Sequence, residues 1–247
     1  MSNLRKNNIL EKKRLTSVAK GIGFLYPYYQ AVEMVGMTNL YDFIYIDGEH
    51  GVFSRESIAL MCIVADSYDL TVYARVPTLD HSTINMYLDC GVMAILGPHV
   101  DTASDAKKLV NACRYTPVGK RSWGSGRGNY YGDSNLLNSP GSNRTKWMND
   151  INNEILVIAQ LETKTSFNNL DEILNVDGID AYAWGSNDLA QSMGFPGEPD
   201  HVEVKDAESR VANKIHSLGK SMLFDFSEMD DLGKIILKGL KDFAKKD

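Results

Sequence analysis

Acidic, imidazole and guanidinium side chains recur where short apolar runs of this chain end. Asp47, Glu49 and His50 directly follow one such run, and Arg75 stands near the end of the next. An imidazole titrates at about pH 6.5, so His50 can exchange a proton near neutral pH. An unpaired guanidinium between apolar neighbours is costly unless it meets a carboxylate or an anionic ligand. These residue types predict acid–base chemistry on an anionic substrate.

Two further carboxylates, Glu162 and Asp188, occupy comparable positions later in the chain. Two carboxylates from adjacent strand ends, with water and substrate oxygens in the remaining positions, suit a hard divalent cation such as Mg²⁺ or Mn²⁺. A single acidic residue at a strand end is more often a helix N-cap or part of a surface ion pair. The prediction of a metal site therefore depends on the joint occurrence of both residues.

The roles of His50 and Arg75 depend on their neighbours. Either Asp47 or Asp89 would orient the His50 ring or raise its basicity, and a purely structural role for the histidine is the alternative. Arg75 would pair with Asp47, bind a substrate oxygen, or do both. The sequence leaves these alternatives open.

Short apolar runs alternate with amphipathic stretches, which is typical of parallel strands joined by crossover helices. The predicted strands are Ala19 to Leu25, Phe43 to Ile46, Thr71 to Val76, Val92 to Leu96, Ile155 to Leu161, Ala181 to Trp184 and Ser221 to Phe224. We therefore expect an α/β fold of the TIM (β/α) barrel type. In such a barrel the carboxyl ends of the strands form the rim that carries the active site, which would gather the residues above.

The sequence predicts seven β/α units, one fewer than a complete TIM barrel has. Only one helix-like segment, Met229 to Lys245, follows the seventh predicted strand. Either a very short closing strand is hidden in that segment, or the barrel is open, or a neighbouring subunit completes it. One expectation is thus a barrel that lacks a regular last β/α unit. A length of 247 residues suits one α/β barrel, so we expect residues 1–247 to form a single domain.

The composition indicates an ordinary globular protein, with 43% hydrophobic and 23% charged residues. A formal net charge of −6 argues against a general nucleic-acid binder, which needs a basic face. The segment Met1 to Leu15 has no apolar core, so we expect no secretory signal, no membrane anchor and a cytoplasmic location. The three cysteines show no metal-ligand spacing and are expected to be buried thiols.

From about Lys20 to Phe224 the chain resembles the HpcH/HpaI aldolases, which include 2,4-dihydroxyhept-2-ene-1,7-dioate, 2-dehydro-3-deoxyglucarate and 2-keto-3-deoxy-L-rhamnonate aldolases. The matching segments, in the family's order, are Tyr41 to His50, Arg75-Val76-Pro77, Leu88-Asp89-Cys90-Gly91, Arg114 to Arg121, Gln160-Leu161-Glu162-Thr163 and Gly185 to Leu189. Six ordered segments make a specific match. The resemblance implies a barrel of the phosphoenolpyruvate/pyruvate superfamily type and a homo-oligomer.

The resemblance also implies a class II aldolase, a carbon–carbon lyase of the aldehyde-lyase type. Such an enzyme reversibly cleaves a 2-keto-4-hydroxy acid to pyruvate and an aldehyde through an enolate stabilised by a divalent metal. Glu162 and Asp188 correspond to the ligands of Mg²⁺, Mn²⁺ or Co²⁺, and Arg75 to the arginine that contacts the keto oxygen. The alternatives are a citrate lyase beta-like acyl-CoA or oxaloacetate lyase, and a non-catalytic barrel that binds a small acid.

By the same resemblance, His50 is the acid–base residue, and Asp47 and Asp89 are the acids that support the histidine and the arginine. The pyruvate moiety would sit against Gln160, Gly185, Ser186 and Asn187. No nucleic acid or membrane is implied as a partner, only a small keto acid and an aldehyde.

Two departures from the family pattern concern these substrate contacts. The family usually has proline after the glycine of the sixth-strand motif, and Pro-Met after the fourth strand. This chain has Gly185-Ser186 and Pro98-His99 at those places. We therefore expect its contacts with pyruvate or with the aldehyde to differ.

Overall fold

The computed structural model describes residues 4–133 and 144–245, in which strands and helices alternate. The strands are β1 (Ala19–Phe24), β2 (Phe43–Asp47), β3 (Thr71–Arg75), β4 (Ala94–Gly97), β5 (Leu156–Leu161), β6 (Ala181–Trp184) and β7 (Ser227–Asp231). The helices are α1 (Asn8–Arg14), α2 (Tyr29–Met37), α3 (Arg55–Ser67), α4 (His81–Cys90), α5 (Ala103–Cys113), α6 (Arg144–Asn152), α7 (Lys164–Asn168), α8 (Leu170–Leu174), α9 (Ser186–Met193), α10 (Val202–Ser217) and α11 (Leu232–Ala244). Two 3₁₀ helices lie at Arg127–Gly132 and Leu223–Asp225.

All seven strands are parallel and form one curled sheet in the order β6-β5-β4-β3-β2-β1-β7. Helices α2 to α5 follow successive strands and cover the outer face of the sheet. The predicted α/β barrel architecture is confirmed. Because the strands are parallel, their carboxyl ends share one edge, which we call the carboxyl rim.

The two-residue period of each strand decides which side chains enter the barrel. Ile44 and Ile46 of β2 pack against the outer helices, whereas Phe43 and Tyr45 belong to the inner cluster. Asp47 continues the inner series by alternation. On β3 and β5 the same alternation carries their polar rim residues inwards. The three cysteines are free and buried, as predicted.

The prediction of a seventh strand at Ser221 to Phe224 is wrong. Met222 forms only an isolated bridge to Tyr182, and the chain then turns into a 3₁₀ helix. The strand next to β1 is β7, which begins where Ser227 pairs with Ala19. It lies within and just before the segment that resembled one continuous helix. A short strand is therefore hidden there, as one alternative predicted. The sheet is also open between β6 and β7, since no ladder joins them within the described ranges.

Helix α11 leaves the barrel beside β7 and exposes its apolar side chains. Ile235, Leu237, Leu240 and Phe243 are all exposed, and no residue of the helix between Leu232 and Ala244 is buried. The described residues include no helix that is both long enough and apolar enough to span a membrane.

Candidate active site at the carboxyl rim

Arg75 is held between two carboxylates at the ends of β2 and β3. The parallel register sets Asp47 beside Arg75, and the guanidinium donates from Nε to Oδ1 at 3.0 Å and from Nη2 to Oδ2 at 2.5 Å. Its Nη1 lies 3.1 Å from Oε2 of Glu49. Burial alone would raise the pKa of Asp47, but hydrogen bonds from Arg75 and from backbone amides lower it. Asp47 is therefore ionised and fixes the arginine.

His99 connects this arginine cluster to Glu162. It follows β4 and Pro98, and its Nε2 lies 3.4 Å from Oε1 of Glu49. Its Nδ1 is 2.9 Å from Oε1 of Glu162, and its backbone N–H donates to the same oxygen at 2.7 Å. The backbone at His99 has a φ of 49°, in the left-handed region that few non-glycine residues adopt. The sequence revealed this histidine only as a departure from Pro-Met, and its place among the carboxylates was missed.

Glu162 is a buried carboxylate, only 1% exposed, without a lysine or arginine partner among the described residues. Gln160 donates from Nε2 to its Oε2 at 2.6 Å. Burial raises the pKa of Glu162. Contacts from His99 lower it, and the charges of Asp188 and Glu49 raise it further. The Oε1 atom of Gln160 is also buried and has no described hydrogen-bond partner.

Gly185 brings the end of β6 against this carboxylate. A Cβ atom at Gly185 would lie 2.1 Å from Oε2 of Glu162, so only glycine permits the approach. Gly185 is the N-cap residue of α9, whose first amides lack partners within the helix. Asp188 lies in the first turn of α9, close enough for its charge to raise the pKa of Glu162.

The side chains of Ser186 and Asn187 have no described contact with Glu162 or the Arg75 cluster. Ser186 donates from Oγ to Oε1 of Glu208 on α10 at 2.6 Å, and Asn187 is exposed. Serine at the first position of α9 retains an amide hydrogen that proline would lack. The predicted substrate-binding role of this segment therefore depends on its backbone amides.

His50 and Asp89 lie outside the compact cluster. His50 is exposed in the turn after β2, where its backbone amide donates to Oδ1 of Asp47 at 3.1 Å. Asp89 lies in the last turn of α4, which is at the amino ends of the strands because the helices run back along the sheet. There it accepts a hydrogen bond from Asn85 and faces Arg121 at 3.8 Å. No contact between Asp89 and His50 is found among the described residues, and the supporting role of Asp89 stays a prediction.

The donor set of the rim fits a hard divalent cation. Glu162, Asp188 and the Gln160 carbonyl offer oxygen atoms. Among the residues that the structure describes, the carbonyl has no hydrogen-bond partner and the buried Glu162 charge has no lysine or arginine to neutralise it. No three His, Cys, Asp or Glu side chains within residues 4–133 and 144–245 already form a complete ligand group. Water and substrate oxygens would thus complete the coordination, as in an open catalytic site.

The family model described as HpcH/HpaI aldolase/citrate lyase matches residues 30–238, and the chain belongs to this family. It is 36% identical over 182 residues to 4-hydroxy-2-oxovalerate aldolase of Rhodococcus jostii, covering 73% of this chain and 67% of that protein. It is 32% identical over 190 residues to 2-keto-3-deoxy-L-rhamnonate aldolase of Klebsiella pneumoniae, covering 77% and 68%. The HpcH/HpaI aldolase structure from Desulfitobacterium hafniense shares the fold, with a TM-score of 0.81, 22% identity and coverage of 96% and 97%.

Proposed function

We propose that this protein is a divalent-metal-dependent class II aldolase that cleaves a 2-keto-4-hydroxy acid to pyruvate and an aldehyde. The observation that carries the proposal is the buried Glu162 carboxylate, which lies beside Gln160 and near Asp188 and has no lysine or arginine partner in the part of the chain that the structure describes. His99 links it to the Arg75 cluster through Glu49. The relatives named as keto-acid aldolases support the same reaction class.

Glu162 and Asp188 would hold the cation, with Gln160 beside them. A bound divalent cation acts as a Lewis acid on the keto and carboxylate oxygens of the substrate and makes the neighbouring carbon more acidic. The free amides at the start of α9 suit the substrate carboxylate, because the amino end of a helix attracts anions. These groups would fix the pyruvate half of the substrate.

Arg75 would stabilise the charge that develops on the keto oxygen. Its N–H groups are directed at Asp47 and Glu49, with the Tyr45 hydroxyl also in contact, and the remaining N–H capacity would serve a substrate oxygen. A guanidinium fixed by two carboxylates needs little reorganisation when the charge appears.

His50 would accept the proton of the 4-hydroxyl group during cleavage. As that proton leaves, the bond between carbons 3 and 4 breaks, the aldehyde is released and the electron pair becomes the enolate of pyruvate. Proton return to carbon 3 then gives pyruvate. The exposed position of His50 leaves its ring accessible to the hydroxyl or to a bridging water.

The test is release of pyruvate from short 4-hydroxy-2-oxo acids in the presence of Mg²⁺, Mn²⁺ or Co²⁺, with and without a chelator. We expect pyruvate release that the chelator abolishes. Glu162→Gln and Asp188→Asn should each lose both this activity and affinity for the metal. Glu154→Gln, a change at the opposite end of the barrel, is the control and should keep turnover per folded molecule. Chelator-resistant turnover would contradict the proposal. Turnover of malyl-CoA, citramalyl-CoA or oxaloacetate instead would favour the citrate lyase-like alternative.

We also infer that the protein is a homo-oligomer. The support is α11, since an isolated amphipathic helix gains its stability mainly by packing its apolar face, and this one packs little of it. Light scattering coupled to gel filtration should give a mass above the 27.5 kDa of one chain. Leu240→Glu should lower that mass, and a monomeric wild type would contradict the inference.

A further inference from the structure

We propose that His99 contributes a ring nitrogen to the metal held by Glu162 and Asp188, so that the centre prefers a transition metal such as Co²⁺ over Mg²⁺. The inference rests on the metal-dependent function proposed above and names the ion class. Imidazole nitrogen suits first-row transition metals, whereas Mg²⁺ prefers an all-oxygen environment.

The spacing of the two contacting atoms is the first argument. Neighbouring ligands around an octahedral ion, each about 2.1 Å from it, lie about 3 Å apart. Nδ1 of His99 and Oε1 of Glu162 are 2.9 Å apart. The two atoms therefore have the separation of adjacent ligands of one ion, as well as that of a hydrogen bond.

The second argument is the partner of the other ring nitrogen. A histidine that binds a metal usually directs its second nitrogen at a carboxylate, which fixes the tautomer and the ring orientation. Nε2 of His99 faces Oε1 of Glu49 at 3.4 Å, and Glu49 is itself held by Arg75 at 3.1 Å. The chain of contacts from the Glu49 carboxylate through the His99 ring to the metal-binding carboxylate of Glu162 is thus already in place.

The backbone supplies the third argument. With a φ of 49° and its N–H bound to Glu162, His99 presents its ring on the same side as the carboxylate. Left-handed backbone in a non-glycine residue costs free energy and often marks a functional site. Asp188 does not complete a three-residue ligand group in this conformation. We expect it to approach when the charge of the ion offsets the repulsion between the two carboxylates.

The competing explanation is that His99 only donates a hydrogen bond to Glu162. His99→Asn and His99→Phe separate the two explanations, because asparagine keeps a hydrogen-bond donor near the position of Nδ1 whereas phenylalanine keeps only the ring. The side chain is 54% exposed, so both variants should fold. Calorimetric titration of wild type and variants with Mg²⁺ and with Co²⁺ gives the affinities, and the visible absorption of bound Co²⁺ reports its ligands.

We expect both variants to lose roughly 10-fold or more in Co²⁺ affinity. Mg²⁺ affinity should change much less, and the Co²⁺ spectrum should shift towards that of an oxygen-only site. Equal losses for the two ions, recovery of Co²⁺ affinity in His99→Asn, or an unchanged spectrum would overturn the inference. If the wild type binds neither ion, the metal-dependent function itself fails. If the wild type binds both ions and the His99 variants bind them with the same affinities, the metal-dependent function stands and this inference alone falls.

Discussion

The two ends of the barrel each contain a buried glutamate, Glu154 at the amino end and Glu162 at the carboxyl rim, and the two carboxylates differ in their ionic partners. At the amino end, Asn7 accepts hydrogen bonds from the amides of α1 and donates to Met93 and Glu154. Glu154 is paired with Lys6 and Arg14. At the carboxyl rim, by contrast, Glu162 contacts His99 and has no lysine or arginine partner among the described residues. The Glu154 charge is thus paired by two cations, whereas the Glu162 charge is not. Elsewhere at the amino end, Oδ1 of Asp89 and Nε of Arg121 are also buried without a described hydrogen-bond partner.

This difference separates residues that stabilise the fold from residues that await a ligand. Buried polar groups in native proteins are nearly always matched, so an unmatched group in a cleft calls for an explanation. Under the proposed function, the buried Gln160 carbonyl and the Glu162 charge at the rim would share one explanation, a cation with an anionic substrate. Substitutions at the two ends should therefore fail in different ways.

The largest contrast should come from two arginines, the partly buried Arg75 and the buried Arg114. Arg75→Ala should lower kcat/KM by about 10³-fold, because it removes the proposed donor to the developing oxyanion. Arg114→Ala, at the amino end, removes the partner of Asp180 and of three carbonyl groups. It should leave turnover per folded molecule unchanged and lower the free energy of unfolding by about 3 to 5 kcal/mol. Steady-state kinetics and urea unfolding on the same preparations measure both quantities.

Two other arginines extend the comparison. Arg127 donates to the carbonyl groups of Cys62 and Cys90, and Arg121 stacks on Tyr115. Neither lies at the rim, so Arg121→Ala and Arg127→Ala should resemble Arg114→Ala. Losses of turnover equal to that of Arg75→Ala would mean that the arginine roles are misassigned.

His50→Ala should reduce cleavage of the hydroxy-keto acid by about 10²-fold or more, because it removes the proposed base for the hydroxyl proton. Metal-dependent pyruvate binding should persist, since Glu162, Asp188 and Arg75 remain. Isothermal titration with pyruvate and turnover on one folded preparation give the two values. Full turnover with a lowered melting temperature would instead show that His50 only packs the turn.

At the amino end, Asn7→Ala should lower the free energy of unfolding by about 3 kcal/mol. It removes the N-cap of α1 and leaves the Met93 and Glu154 carbonyl groups without their donor. Urea titration measures the change, and kcat should stay at its wild-type value below the melting temperature. A loss of kcat in folded protein would show that the two ends are coupled.

The sequence predicted the rim residues because their types are unusual at strand ends and the strand period directs them inwards. It missed β7 because Ser227, Glu228, Asp230 and Asp231 form a polar strand with one apolar residue, which gives no hydrophobic signal. Asp89 was placed at the rim because it precedes β4 in the chain. In space it lies at the other end, since helices and strands run in opposite directions. Such contacts between distant segments have no local signature.

The smallest effect should be a pH dependence of stability that originates at Asp47. The pKa of its carboxyl group is lowered in the folded protein by Arg75, relative to about 3.9 for an unfolded aspartate. A lowered folded pKa contributes stability that is fully present above the unfolded value and disappears as the pH falls towards the folded one. Asp47→Asn should therefore cost about 2 kcal/mol at pH 7, the value of a hydrogen bond to a charged group.

That cost should shrink as the pH falls below about 4, because the wild type then loses the same charge. Urea unfolding of both proteins between pH 3 and pH 7 measures the difference. Asp200→Asn is the matched control, since its side chain is 92% exposed and its substitution should leave the curve unchanged. A constant difference between Asp47→Asn and wild type across the range would mean that the carboxylate stabilises the rim by shape alone. In that case Arg75 would not depend on the Asp47 charge for its position.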